Sequence, residues 1–158
     1  MPGGTRTTAE GRLGCAGWDL RYDDPGELLS DPVIQGTLDF GEPVAVLVVG
    51  MLHFLDEDEP AKAIQAVVDA LPPGSYVAAS HVAMECDPLG AVSLVAAYDE
   101  GGIPLQLRDA GEFGRLAFPG LEVVPPGVVP VSQWRPAGGT SLPSAVKVCC
   151  YGGVAWKR

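Results

Sequence analysis

His53 and His81 are the two histidines of this 158-residue chain, and the side chains best suited to proton chemistry near neutral pH. Each closes an apolar run: Val44 to Val49 leads to His53, and His81 ends the segment SYVAASH. An imidazole so placed can take a proton, orient a bound molecule or make a structural hydrogen bond, and the residues leave all three open. Asp56 and Asp58 follow His53 closely enough to invite a metal site. A metal needs three or four converging ligands, however, and the spacing suits helix capping better, so none is expected. Ser80 lacks the G-x-S-x-G context of a hydrolase nucleophile. Asp19 follows a short apolar segment, where an aspartate commonly caps the next turn, and Gly50 closes a run as a turn glycine would.

The stretch that must position these groups is Pro43 to Glu59, PVAVLVVGMLHFLDEDE. Its continuous β-branched run predicts a strand over 44–49, buried on both faces as in a helix-covered parallel sheet. Gly50 ends the strand, 51–54 bends, and the acidic cluster with Pro60 opens a helix over 60–71. That helix places Ala61, Ile64, Val67, Val68 and Leu71 on one face, with Asp56 to Glu59 at the positive end of its dipole. Pro72-Pro73-Gly74 stops it, and 75–81 reads as a second buried strand. Asp87-Pro88 caps a helix that Gly101-Gly102 ends.

Upstream, a short strand is expected over 13–18. Asp24 caps a helix over 25–30, and Asp31-Pro32 begins a further turn that Gly36 stops. Alternating strands and helices argue for parallel βαβ units, with 44–49 and 75–80 adjacent and ligands taken at the strands' carboxyl ends. The last part differs. A short helix over 109–118 and a strand over 121–124 precede a Pro-interrupted extended segment, 127–134, suited to an edge or loop. Residues 136–145 read as a flexible, exposed loop, and 146–157 as a final strand able to close an antiparallel hairpin with LEVV.

Composition narrows the classes. Twenty acidic residues against ten basic ones, without a Lys/Arg cluster, argue against a nucleic-acid or anionic-membrane surface. Apolar runs fall far short of the ~20 residues that span a bilayer, and the first twelve residues lack the apolar core of a signal peptide. Cys15, Cys86, Cys149 and Cys150 show no C-x-x-C spacing and read as reduced, cytoplasmic thiols. The 21 glycines and 15 prolines fall mostly between apolar segments, as turn punctuation. Residues 1–11 have no periodicity and are expected to be a disordered lead-in to a single domain over 12–158.

The strings DLRYDDPGELL, GEPVAVLVVGMLHFLDEDEP, LPPGSYVAASH, LEVVPPGVVPVSQWRP and YGGVAWK, in that order, closely resemble an actinobacterial S-adenosylmethionine-dependent methyltransferase family. The resemblance runs from about Thr7 to Arg158. It implies an α/β, Rossmann-like methyltransferase fold with a mixed, mostly parallel sheet and a closing antiparallel strand. It also implies S-adenosylmethionine as cofactor and a small-molecule acceptor. In family terms Asp19 accepts a hydrogen bond from the adenine amino group, Leu20 flanks the ring, and Gly50, Met51 and Leu52 approach the cofactor at the end of the central strand. His53 would be the base or would orient the acceptor.

Full members carry a glycine-rich cofactor turn and a ribose-binding acidic residue upstream. GRLGCAG, at Gly11 to Gly17, follows no strand and opens no helix, so it does not match that turn. The chain is therefore expected to represent the C-terminal portion of the fold. Two readings follow: a methyltransferase weakened by the missing turn, or a non-catalytic homologue acting as an interaction module. An uncovered sheet edge would favour self-association in either.

Overall fold

A computed structural model describes residues 25–55, 59–85, 87–138 and 148–158. The lead-in over 1–11, the strand over 13–18, Asp19, Leu20, the Asp24 cap, Asp56 to Asp58, and the segment 139–147 lie outside the described residues.

Helix α1 (Pro25–Ser30) starts on a proline, whose fixed φ suits a first turn. Asp31 caps α2 (Pro32–Thr37), its carboxylate accepting from the amides of Val33 and Ile34. The helix runs past Gly36, the expected stop. Thr37 Oγ1 donates to the Val33 carbonyl and the Leu38 amide to that of Ile34, so the ladder continues until extended Leu38 breaks it.

Strand β1 (Ala45–Val48) lies parallel to β2 (Tyr76–Val82), with Ala45 beside Tyr76 and Val48 beside Ala79, as the apolar runs and helix-length crossover required. Two serines tie the pair beyond the ladder: Ser75 Oγ accepts from the Val44 amide at 3.0 Å, and Ser80 Oγ from the Gly50 amide at 3.1 Å. The crossover is a 3₁₀ turn, Leu52–Phe54, followed by α3 (Glu59–Ala70). Ile64, Val68 and Leu71 are buried as their helical spacing demands, whereas Ala61 is exposed. Lys157 Nζ donates to the carbonyls of Val68 and Asp69 and so satisfies the carboxyl end of α3.

Asp87 caps α4 (Pro88–Glu100), which ends at Gly101. Helix α5 (Ala110–Ala117) opens on a reciprocal capping box: Asp109 Oδ1 accepts from the Glu112 amide at 2.7 Å, and Glu112 Oε2 from the Asp109 amide at 3.1 Å. Replacing Asp109 by alanine is expected to cost about 1 kcal/mol, read as a lowered urea midpoint with unchanged slope.

The remaining strands are β3 (Glu122–Val123), β4 (Val129–Pro130) and β5 (Cys150–Trp156). The segment expected as edge or loop thus supplies β4, then a 3₁₀ turn at Val131–Gln133. Strand β5 runs antiparallel to β2, β3 and β4 and sits between β2 and β3, giving the order β1-β2-β5-β3 with β4 also paired to β5. Four of the described strands therefore point one way and the last points back. The expected hairpin between LEVV and the final strand forms as the β3–β5 pair.

The core fills one face of this sheet. Val44, Val46 and Val48 point into a cluster with Leu52, Ile64, Val68, Val77, Ala79, Phe113, Phe118 and Ala155. The opposite face is bare over β1, and the expectation that 44–49 is buried on both sides does not hold. Leu47 is 69% exposed and Val49 61%, with Tyr76 exposed beside them. Among the described residues nothing covers that face of β1, and strand alternation turns Ala45, Leu47 and Val49 away from the core.

Strand β5 carries the closest approaches to the sheet. A Cβ on Gly153 would lie 2.9 Å from the Phe118 ring, and one on Gly152 would lie 2.8 Å from Val131 Cγ1. Alternation sends these to opposite faces, so the glycines admit a core ring on one side and the 3₁₀ turn on the other. No helix among the described residues is long and apolar enough to cross a membrane.

Candidate active site

The carboxyl ends of β1 and β2 bring the two histidines together. Gly50, at φ +68°, turns the chain out of β1 with nothing within 4 Å of where a Cβ would stand. The 3₁₀ turn then folds back, placing His53 under the strand ends at 8% exposure. The His53 and His81 rings meet edge to face, 5.5 Å between centroids. Phe113 packs on the other side of His81, also at 5.5 Å, and Phe54 joins His53 to Tyr98 of α4.

Arg108, which the sequence does not single out, completes the cluster. Its backbone bridges to Ala83 and accepts from the Met84 amide, so it rides on the extension of β2. Its Nη1 meets His81 Nε2 at 2.9 Å and donates to the Leu52 carbonyl at 3.3 Å. A guanidinium can only donate, so His81 Nε2 must be the lone-pair nitrogen. The proton then sits on Nδ1, which donates to the Val82 carbonyl at 2.8 Å. His81 is thereby held as one neutral tautomer, and burial lowers its pKa while the Val82 bond works against that shift.

His53 is held neutral more firmly. Burial, then His81, then the Arg108 charge bring its pKa down to about 4. Its Nδ1 is buried with no hydrogen-bond partner. A neutral imidazole with an uncommitted nitrogen can accept a proton or a hydrogen bond from a bound molecule.

Among the other expected contacts, Gly50 is open to the approach of a ligand and Met51 is half-buried beside it. The Leu52 side chain is part of the core, at 2% exposure, so its backbone alone faces the site, and its carbonyl already serves Arg108. The open Cα of Gly50 fits a cofactor lying across the end of β1. Tyr151, which pairs with His81 across the sheet, donates to Glu85 at 2.8 Å. Burial raises the pKa of the Cys150 thiol, a strand residue, and Cys149 and Cys150 are free thiols. Among the described residues no group of three or more His, Cys, Asp or Glu could hold a metal ion.

A crossover-linked parallel pair, a last strand inserted antiparallel beside it, and polar groups gathered at the strands' carboxyl ends define a Rossmann-like methyltransferase fold. The chain belongs to the S-adenosyl methyltransferase family, which it matches over residues 6–158. It is similar to a DUF574 family protein of Streptomyces avermitilis MA-4680, at 31% identity and a TM-score of 0.79, over 89% of this chain and 53% of that one. It is also similar to a Thermobifida fusca YX protein assigned to the methyltransferases, at 30% identity and a TM-score of 0.78, over 89% and 52%. The chain thus spans about half the length of these structures. A search of curated proteins returned no match.

Proposed function

We propose that this chain supplies the acceptor-side part of a methyltransferase that moves a methyl group from S-adenosylmethionine to a small molecule. The observation that carries the reading is the gathering of Gly50, His53 and His81 at one sheet edge in a chain of this family. Asp19 would hold the adenine amino group, Leu20 the ring, and the backbone of Gly50, Met51 and Leu52 the sulfonium end. The cofactor supplies an activated methyl group, so the chain's task is to align the acceptor and, where needed, take its proton. His53 is the group for that proton, since it is neutral and its Nδ1 has no partner. Free thiols fit a cytoplasmic setting.

Titration calorimetry with S-adenosylmethionine tests this reading. A ribose-binding carboxylate makes charge-assisted bonds whose loss weakens affinity about a hundredfold, so the 158-residue chain is expected to bind at ~100 μM or weaker. Asp19→Ala should weaken it further. Low-micromolar binding that Asp19→Ala abolishes would mean that a complete site exists. No heat at millimolar cofactor would favour the second reading, an interaction module. That reading draws on the edge of β1 left unpaired among the described residues and on the exposed Leu47, Val49 and Tyr76, which suit pairing with another copy. Sedimentation velocity would detect such pairing, and Leu47→Lys should abolish it.

A further inference from the structure

Arg108 is a half-buried cation that forms no ion pair among the described residues. The chain has twice as many acidic as basic residues, yet among the described residues none of the carboxylates pairs with this guanidinium. Those around it are committed elsewhere. Asp109 and Glu112 hold each other's amides in the cap of α5, and Glu85 takes the Tyr151 hydroxyl. Glu112 acts on Arg108 only through space, and burial still lowers the Arg108 pKa, as expected of a cation whose desolvation is not repaid. Both histidines beside it are neutral, so Arg108 carries the positive charge of the cluster.

Its bonding is also half used. Nη1 serves His81 and Leu52, while Nε and Nη2 have no partner among the described residues. Those two nitrogens form one edge of the guanidinium fork, the edge that takes a carboxylate through two parallel bonds. Nearby, in the same cluster, His53 keeps its buried, unpartnered Nδ1. An uncompensated cation and an orphaned imidazole nitrogen together, at the ligand-taking edge of an α/β sheet, call for an anion with a hydrogen-bonding group near it.

We propose that Arg108 and His53 form a subsite for a carboxylate of the methyl acceptor, Arg108 gripping the carboxylate and His53 facing the neighbouring polar group. The assignment to the acceptor rests on the methyltransferase reading; the anion subsite itself does not.

The test is an NMR titration of the histidine imidazole resonances of the full chain at pH 7, with benzoate as the probe and neutral benzamide as its isostere. Benzoate is expected to shift the His53 and His81 signals saturably, and benzamide to leave them in place. Arg108→Gln should weaken benzoate binding about tenfold or more, and Arg108→Lys, which keeps charge but not the fork, by less. Equal responses to benzoate and benzamide would overturn the subsite, a comparison that needs no variant and holds if either substitution fails to fold. Unchanged benzoate affinity in Arg108→Gln would overturn it too. S-adenosylhomocysteine supplies the other arm: binding beside benzoate supports an acceptor site, whereas displacing it would assign the carboxylate to the cofactor and overturn the acceptor claim. The titration omits the methyl donor, so its failure leaves the methyltransferase reading standing, and silence in calorimetry leaves the anion subsite standing.

Discussion

Replacing Phe113 by alanine is expected to remove about 3–5 kcal/mol of folding stability, lowering the thermal midpoint by roughly 10 °C. Phe113 is fully buried, at 0% exposure, and faces the sheet from α5. Its ring packs against Phe118 at 5.9 Å and within a cluster drawn from α3, α5, β2 and β5. Truncation deletes six ring carbons from close-packed surroundings, and the cost is the lost transfer energy plus that of the void. Because the same ring supports His81 at 5.5 Å, the variant should also broaden the His81 resonance. Urea unfolding at constant slope is the check. Leu89→Ala on α4, where the side chain is 81% exposed, should change stability by less than about 0.5 kcal/mol. A Phe113→Ala loss as small as the Leu89→Ala one would mean that the core is not organised around this ring.

The second large effect is one of pH. His53 titrates near 4 in the folded chain and near 6.5 when unfolded. Between those values the unfolded chain binds a proton that the folded chain refuses, so acid favours unfolding. Above pH 6.5 His53 is neutral in both states and contributes nothing to the pH dependence. The penalty grows as pH falls through 6.5 and is complete below about 4, reaching about 3 kcal/mol in all. His81, lowered by burial, works in the same direction. The expected result is a wild-type urea midpoint that falls between pH 7 and pH 4.5, with a markedly shallower fall in His53→Gln. Carboxylates titrate in both proteins, so the difference between the curves isolates the imidazole. Parallel curves would show that His53 is free to ionise in the folded state.

The features legible in the sequence are those written locally. Asp31 and Asp87 announced their helices because a cap needs only residues one turn apart, whereas the Asp109–Glu112 box went unread. The parallel pairing of 44–49 with 75–80 followed from two apolar runs and the length of chain between them. The apolar run of β1 stated that its side chains are hydrophobic but not what covers them, and Leu47 and Val49 proved exposed. Arg108 was hidden for a related reason. It meets His81 from 27 residues away and Leu52 from 56, and no motif connects positions that only the β2 extension brings together. The alternation in Leu105-Gln106-Leu107-Arg108 hinted at a short extended segment, and said nothing of a histidine.

Gly152 and Gly153 set a different kind of limit. Every substitution at these positions can only add atoms, and each of them has a neighbour within 3 Å of the first atom added. A saturation library of this chain should therefore be emptiest where there is no chemistry at all. His53 and Arg108 would tolerate replacement at the expense of binding. The two adjacent codons without a side chain, held between Val131 and Phe118, leave the chain almost no room to drift.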